Sequence, residues 1–207
     1  MTPTPVIEAR GLTKRYGSLT AVDGVDLTIY PTEIFGILGP NGAGKTTTLE
    51  MIEGLRDPDD GSITVTGIDV VHHPDDVKRR IGVQLQTTTL FEYLTVRELI
   101  ALFGSLYGAE SSRDWVDRLL NMVSLEEKGG DTADTLSGGQ QQRLSIALAL
   151  VNDPDIVFLD EPTTGLDPQA RRNLWEIVEE IRDQGKTVVL TTHYMEEAET
   201  LCDRVAV

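Results

Sequence analysis

The 207-residue chain carries 18 basic and 34 acidic side chains, and the resulting formal charge of −16 opposes non-specific attachment to nucleic acid or to an anionic lipid surface. Its length suits one domain with a sizeable core and no disulfide staple, and its single cysteine, Cys202, has no intrachain partner, in keeping with a reducing compartment. No apolar run approaches the roughly 18 residues of a membrane span, and the opening MTPTPVIEAR lacks the basic-then-apolar order of a signal peptide, so a partner is expected to supply any span.

In chain order, the alternating stretches Val6 to Ala9 and Val25 to Ile29 predict antiparallel strands, as does Ser62 to Val65 after the turn-rich DPDDG. Between them, Ile34 to Leu38 is short and apolar. It meets Gly39 and then the helix-compatible TTTLEMIEGL, which predicts a buried strand passing through a loop into a helix. That loop, GPNGAGKTT, contains the pattern G-x-x-x-x-G-K-[ST] as Gly39, Gly44, Lys45 and Thr46. Glycines there let backbone amides approach phosphate oxygens, and a lysine adds positive charge. Lys45 is expected on the β- and γ-phosphates of a nucleotide, the Thr46 hydroxyl on magnesium and Thr47 near the α-phosphate. Gly42, Ala43 and Gly44 contribute backbone amides, and Pro40 and Asn41 complete the loop.

Further on, His72 and His73 stand beside Pro74 without a completed ligand set and read as a solvated loop. Lys78, Arg79 and Arg80 read as an exposed charge run, because no aromatic platform is interleaved with them. Thr95 and Glu98 make a capping-box pattern ahead of Leu99 to Tyr107, and Trp115, Val116, Leu119, Leu120 and Val123 form a second helical stripe. Leu94 to about Gly130 is therefore expected to be a helical insert. It leads to LSGGQ, Leu136 to Gln140, where Ser137 occupies a cap position before the apolar run Leu144 to Val151. A helix start with adjacent glycines attracts an anion, so Ser137, Gly138, Gly139 and Gln140 form a second candidate phosphate contact. Two more apolar runs, Ile156 to Leu159 and Thr187 to Leu190, end in Asp160 and Glu161 and in Thr191, Thr192 and His193. Polar groups placed where buried parallel strands emerge mark the expected site.

With GPNGAGKTT and LSGGQ in this order, the chain from about Arg10 to Val207 resembles the ATP-binding subunit of ABC (ATP-binding cassette) proteins. IVFLDE, Ile156 to Glu161, resembles a Walker B strand; TGLD, Thr164 to Asp167, resembles the D-loop; and TTH, Thr191 to His193, resembles the switch histidine. The resemblance implies an α/β P-loop NTPase core with a mainly parallel sheet, an N-terminal antiparallel β region and a helical ABC insert. It makes 1–207 one nucleotide-binding domain, with a helical subdomain at about 94–135. The family normally continues past Arg204 to Val207, which begins another strand here, so a C-terminally incomplete domain is expected.

The cofactors so implied are ATP and Mg2+. The resemblance assigns Asp160 to the magnesium hydration shell, Glu161 to orienting or deprotonating the attacking water, and His193 to the γ-phosphate. Gln86, selected over Gln84 by the family's strand-then-glutamine pattern, joins Thr46 and Asp160 around magnesium, and Tyr16 stacks on adenine. Ser137 to Gln140 contact ATP held by a second ATP-binding subunit, with Asp167 near that interface. TGLDP and THYMEEAE look like those of bacterial drug-exporter ATPases. They imply dimer closure that powers export of drugs or other hydrophobic cargo, at the cytoplasmic face of the membrane, through a transmembrane permease. Leu90, Phe91, Tyr93 and Leu94 are expected to border the groove that receives a permease helix. A soluble ABC ATPase of DNA repair, chromosome organisation or translation is the alternative. The interval between Gln86 and Leu136 has room for a short helical insert and none for a long coiled coil.

Overall fold

Local sequence decides most elements of the computed structural model, which describes residues 3–84, 93–109 and 112–207. The alternating N-terminal segments form strands β1 (Ile7–Tyr16) and β2 (Leu19–Ile29), longer than the sequence pattern because register shifts let the pairing continue past Ala9. The apolar run after them is β3 (Ile34–Leu38), followed through the glycine loop by α1 (Lys45–Ile52). Next come β4 (Asp60–Val65), the short β5 (Ile68–Asp69), α2 (Pro74–Lys78) and β6 (Ile81–Val83). His72 and His73 lie exposed at the start of α2, with His72 Nδ1 3.0 Å from Asp69. Arg79 and Arg80 pair with Asp76 and Asp155, so the basic run is neutralised locally.

Helices α3 (Val96–Leu106) and α4 (Arg113–Met122) occupy the expected helical stretch. Thr95 and Glu98 close a reciprocal capping box on α3, each side chain accepting from the other's backbone N–H. Helix α5 (Gly138–Ala149) precedes β7 (Ile156–Asp160), and α6 (Pro168–Asp183) precedes β8 (Thr187–Thr192). The chain then forms α7 (Met195–Leu201) and β9 (Arg204–Ala206). Pro168 at the first turn of α6 and Asp167 as its N-cap, accepting from the amides of Gln169 and Ala170, fix where that helix begins.

Four strands form an antiparallel sheet in the order β2-β1-β4-β5, and five form a parallel sheet in the order β6-β7-β8-β3-β9. Strands β3, β6 and β7 are apolar at almost every position and β8 is buried throughout, as covered faces require, whereas the edge strand β9 is largely exposed. Along β7, Val157 and Leu159 enter one apolar cluster with α3, α4, α5 and α6, while Ile156 and Phe158 enter another with α1 and the antiparallel sheet. Leu174, Ile177, Val178 and Ile181 of α6 are buried in the first cluster, each burial contributing about 1.5 to 3 kcal/mol relative to exposure. Gly82 admits the close packing of β6, since a Cβ there would stand 1.8 Å from the Ala149 carbonyl oxygen. The α/β architecture expected from the sequence is the one observed. No helix of the described residues is long and apolar enough to cross a membrane.

Register then sets the site. Leu38 pairs with Thr192 and Asp160 with Thr191, so the chain leaves β3, β8 and β7 side by side at one edge, with Gly39, His193 and Glu161 next in sequence.

Candidate nucleotide site

Gly44 caps α1 in the left-handed conformation, at φ 88°, and a Cβ there would meet the Ala21 carbonyl oxygen at 2.2 Å, so only glycine fits the turn. The turn delivers Lys45 to the first position of α1, where its ammonium is nearly buried. Lys45 Nζ donates to the carbonyls of Gly39, at 2.9 Å, and Pro40, at 3.2 Å, and lies 3.1 Å from Glu161 Oε1. Thr46 Oγ1 donates to Asp160 Oδ2 at 3.0 Å. Thr191 donates to the other Asp160 oxygen, and its own hydroxyl oxygen accepts from the Glu161 amide at 2.9 Å. One threonine on the central strand thus orients both acidic residues.

Glu161 has a positive φ of 47°, a strained conformation for a residue with a side chain, so the chain turns sharply as it leaves β7. Its second oxygen accepts from Thr164 at 3.2 Å and lies 3.3 Å from His193 Nδ1. Partial burial favours its protonated form, but the hydrogen bond and charge of Lys45, with His193 and Thr164, outweigh that and hold its pKa below the usual carboxylate value. Glu161 is therefore an anion poised between a cation and an imidazole. Behind it, Glu53 is buried and its pKa is pushed up to about 8, first by desolvation and then by the charges of Asp160 and Glu50.

Lys45, Thr46, Asp160, Glu161 and Thr164 line an open cavity of about 710 Å³ whose walls also include Tyr16, Leu19, Ala21, Asn41, Gly42, Gly44 and Thr47. Its lining combines an aromatic ring with a lysine at a helix start, groups able to hold an aromatic base and a polyphosphate. A family model described as ABC transporter matches residues 22–164. The chain belongs to the ABC transporter family. It is 46% identical over 207 residues to the Nod factor export ATP-binding protein I of Burkholderia lata, covering 99% of this chain and 68% of that one. It is 45% identical over 206 residues to the protein of the same name in Ralstonia nicotianae, covering 99% of this chain and 64% of that one. The chain thus spans about two thirds of the length of these curated relatives. A solved structure described as a dimeric bacterial ABC transporter cassette superposes with a TM-score of 0.84 at 31% identity, covering 96% of this chain and 92% of the other.

Among the residues singled out by this ABC family sequence, the structure brings Lys45, Thr46, Asp160, Glu161 and His193 into one connected group and puts Tyr16 on the same cavity. Ser137, Gly138, Gly139 and Gln140 stand apart from that cavity; further along the same helix, Gln142 reaches its wall. Gln86, Leu90 and Phe91 lie outside the described residues, whereas Gln84 is buried, lines the cavity and has an amide oxygen with no hydrogen-bond partner among the described residues. Tyr93 is almost fully exposed and Leu94 packs partly against the main core.

Several residues that the sequence did not single out for these roles also hold the site. Thr191 sits inside the TTH motif, but its bonds to Asp160 and Glu161 depend on strand register. The His193 and Tyr194 rings stand 4.0 Å apart, and the Arg171 guanidinium from α6 lies 4.3 Å over the Tyr194 ring. Trp175 Nε1 donates to the buried Glu197 at 2.9 Å, tying α6 to α7.

Proposed function

We propose that this chain is the ATP-binding and ATP-hydrolysing subunit of a membrane exporter, working through ATP-dependent closure of a two-cassette dimer. The observation that carries the reading is the continuous group Lys45, Glu161, His193 with Thr46 and Asp160 beside it, set at the exits of three adjacent parallel strands below an aromatic ring.

Oxygen donors suit a hard cation such as Mg2+, which takes one or two protein ligands and completes its shell with phosphate and water. The Thr46 hydroxyl and the Asp160 carboxylate, 3.0 Å apart, are the residues that would hold it, with Gln86 as a third contact. The described residues contain no cluster of three or more His, Cys, Asp or Glu able to hold a metal by themselves, which favours this shared mode over an all-protein cage. Held there, Mg2+ would neutralise phosphate charge.

Lys45 exchanges its carbonyl and Glu161 partners for phosphate oxygens, and the amides of Gly42, Ala43, Gly44 and Thr47 close around the chain of phosphates. Glu161, released from Lys45, stays ionised and orients a water or takes its proton for attack on the γ-phosphorus. His193 contacts the γ-phosphate from the neighbouring strand exit. Tyr16 stacks on the base through its ring face. Ser137 to Gln140 of one chain contact ATP held by the other, and Asp167 at the head of α6 lies near the shared surface. The relatives' printed names support export, and the cassette that superposes on this chain is described as dimeric. A transmembrane permease selects the cargo, whether drug or other hydrophobic molecule, and holds the chain at the cytoplasmic face.

Co-expression with a multispanning membrane protein encoded in a neighbouring reading frame, taken as the candidate permease, tests the reading. The account expects recovery of the chain in the membrane fraction and Mg-dependent phosphate release from ATP. A chain that stays out of the membrane fraction when that permease is present, or an assembled complex that releases no phosphate, contradicts it.

A further inference from the structure

The Arg56 guanidinium carbon stands 5.4 Å from the centroid of the Tyr16 ring and over its face. Arg56 Nε donates to Glu50 Oε2 at 2.6 Å, and the Arg56 amide donates to the Glu50 carbonyl at 3.1 Å, so both ends of the arginine are fastened to one residue. Glu50 lies on α1, the helix that opens with Lys45. Tyr16 ends β1 and is 41% exposed, without the packing that would lock a buried ring. Tyr16 lines the 710 Å³ cavity and Arg56 does not. The cation thus lies over a face of a ring that lines the cavity, without lining the cavity itself.

We propose that Arg56, oriented by Glu50, is a positioning residue that holds the Tyr16 ring as the base-stacking platform of the nucleotide site. The proposal rests on the ATP-binding reading above. A ring already ordered loses less rotamer freedom when a base stacks on it, so affinity rises without a new contact to the ligand. The planar guanidinium packs flat on an aromatic face, which an ammonium cannot do, so lysine is a partial substitute. Because Glu50 and Lys45 share α1, the platform keeps its distance from the phosphate loop. Base and phosphate contacts then act on one ligand from elements held at a fixed spacing.

Calorimetric titration of the full chain with Mg-ATP and, separately, with Mg-tripolyphosphate, which has phosphates and no base, tests the proposal. Arg56→Ala is expected to weaken ATP binding about three- to tenfold and to leave tripolyphosphate within about twofold of the parent. Arg56→Lys should recover part of the loss, and Glu50→Gln should shift ATP affinity in the same direction by less. An equal loss for both probes overturns the proposal, since charge or helix distortion would then be the cause. So does unchanged ATP affinity in both Arg56→Ala and Glu50→Gln. A parent chain that binds neither probe overturns the ATP reading itself, and is distinguishable from either result.

Discussion

Helices α1 and α5 both begin at glycine-rich segments suited to anions, yet their N-termini are finished in opposite ways. No side chain caps α1, which starts from a left-handed glycine. Ser137 caps α5, its hydroxyl oxygen accepting from the Gln140 amide at 3.3 Å while Gln140 Oε1 accepts from the Ser137 amide at 2.9 Å. A helix start leaves about four amides without intrahelical partners, so α1 keeps its amides for a ligand and α5 satisfies part of its own set. The Ser137 hydroxyl uses an acceptor position in that box and retains its O–H donor for a phosphate oxygen. One terminus is therefore a cradle within its own chain's cavity. The other is a capped tip whose residues 137–140 do not line that cavity, and under the proposed function it meets a nucleotide held by a second chain.

The contrast can be broken most severely at the cradle. Lys45→Ala should weaken Mg-ATP binding at least about tenfold, because charge-assisted contacts are worth about 1.5 to 3 kcal/mol each; calorimetry that finds unchanged affinity removes Lys45 from the site. The far end of α1 gives a pH test. Glu53 keeps its proton in the folded chain up to about pH 8, whereas an unfolded glutamate loses it near 4.5. Between those values the folded state binds more protons at Glu53, so this group's contribution to stability is full below about pH 4.5 and declines as pH rises towards 8. Glu53→Gln should remove that decline, leaving the variant about 1 to 3 kcal/mol more stable relative to the parent at pH 8 than at pH 5 in urea unfolding. Parallel pH profiles for the two proteins would refute the assignment. The smallest effect belongs to the tip, where Gln140→Ala opens the capping box and should cost about 0.5 to 1 kcal/mol in the same assay, with ATP affinity of the isolated chain unchanged.

What the sequence made legible and what it hid divide along the range of the interactions. Buried parallel strands are continuous apolar runs, so β3, β7 and β8 could be located and their polar exits picked out before any coordinates. The capping box from Thr95 to Glu98 is a four-residue pattern and the cap at Ser137 a single residue, and both form. The loop around Gly44 was readable because its glycines and lysine occur at a fixed spacing. By contrast, the Thr191 hydroxyl that orients Asp160 and Glu161 acts across 31 residues, and the Trp175 to Glu197 bond across 22. Such contacts depend on strand order and on which face of α6 meets α7, and neither is written in a local pattern. The helix α2 was missed for another reason. Its five residues are too few to show a periodicity; it starts at Pro74, buries Val77 in the core and carries exposed ion pairs of Asp75 and Asp76 with Lys78 and Arg79.

The central claim is that a site assembled from the cradle of one chain and the tip of another hydrolyses ATP through Glu161. Its most direct test is single-turnover hydrolysis with size-exclusion chromatography in Mg-ATP, on Glu161→Gln alone and combined with Ser137→Arg. The account predicts that Glu161→Gln binds ATP, hydrolyses it about 10² to 10⁴-fold more slowly and elutes as an ATP-dependent dimer. It predicts that Ser137→Arg, by crowding the opposing nucleotide, returns the protein to monomer while each chain still binds ATP at Lys45. Hydrolysis by Glu161→Gln at the parent rate, or an ATP-bound dimer that survives Ser137→Arg unchanged, would contradict it.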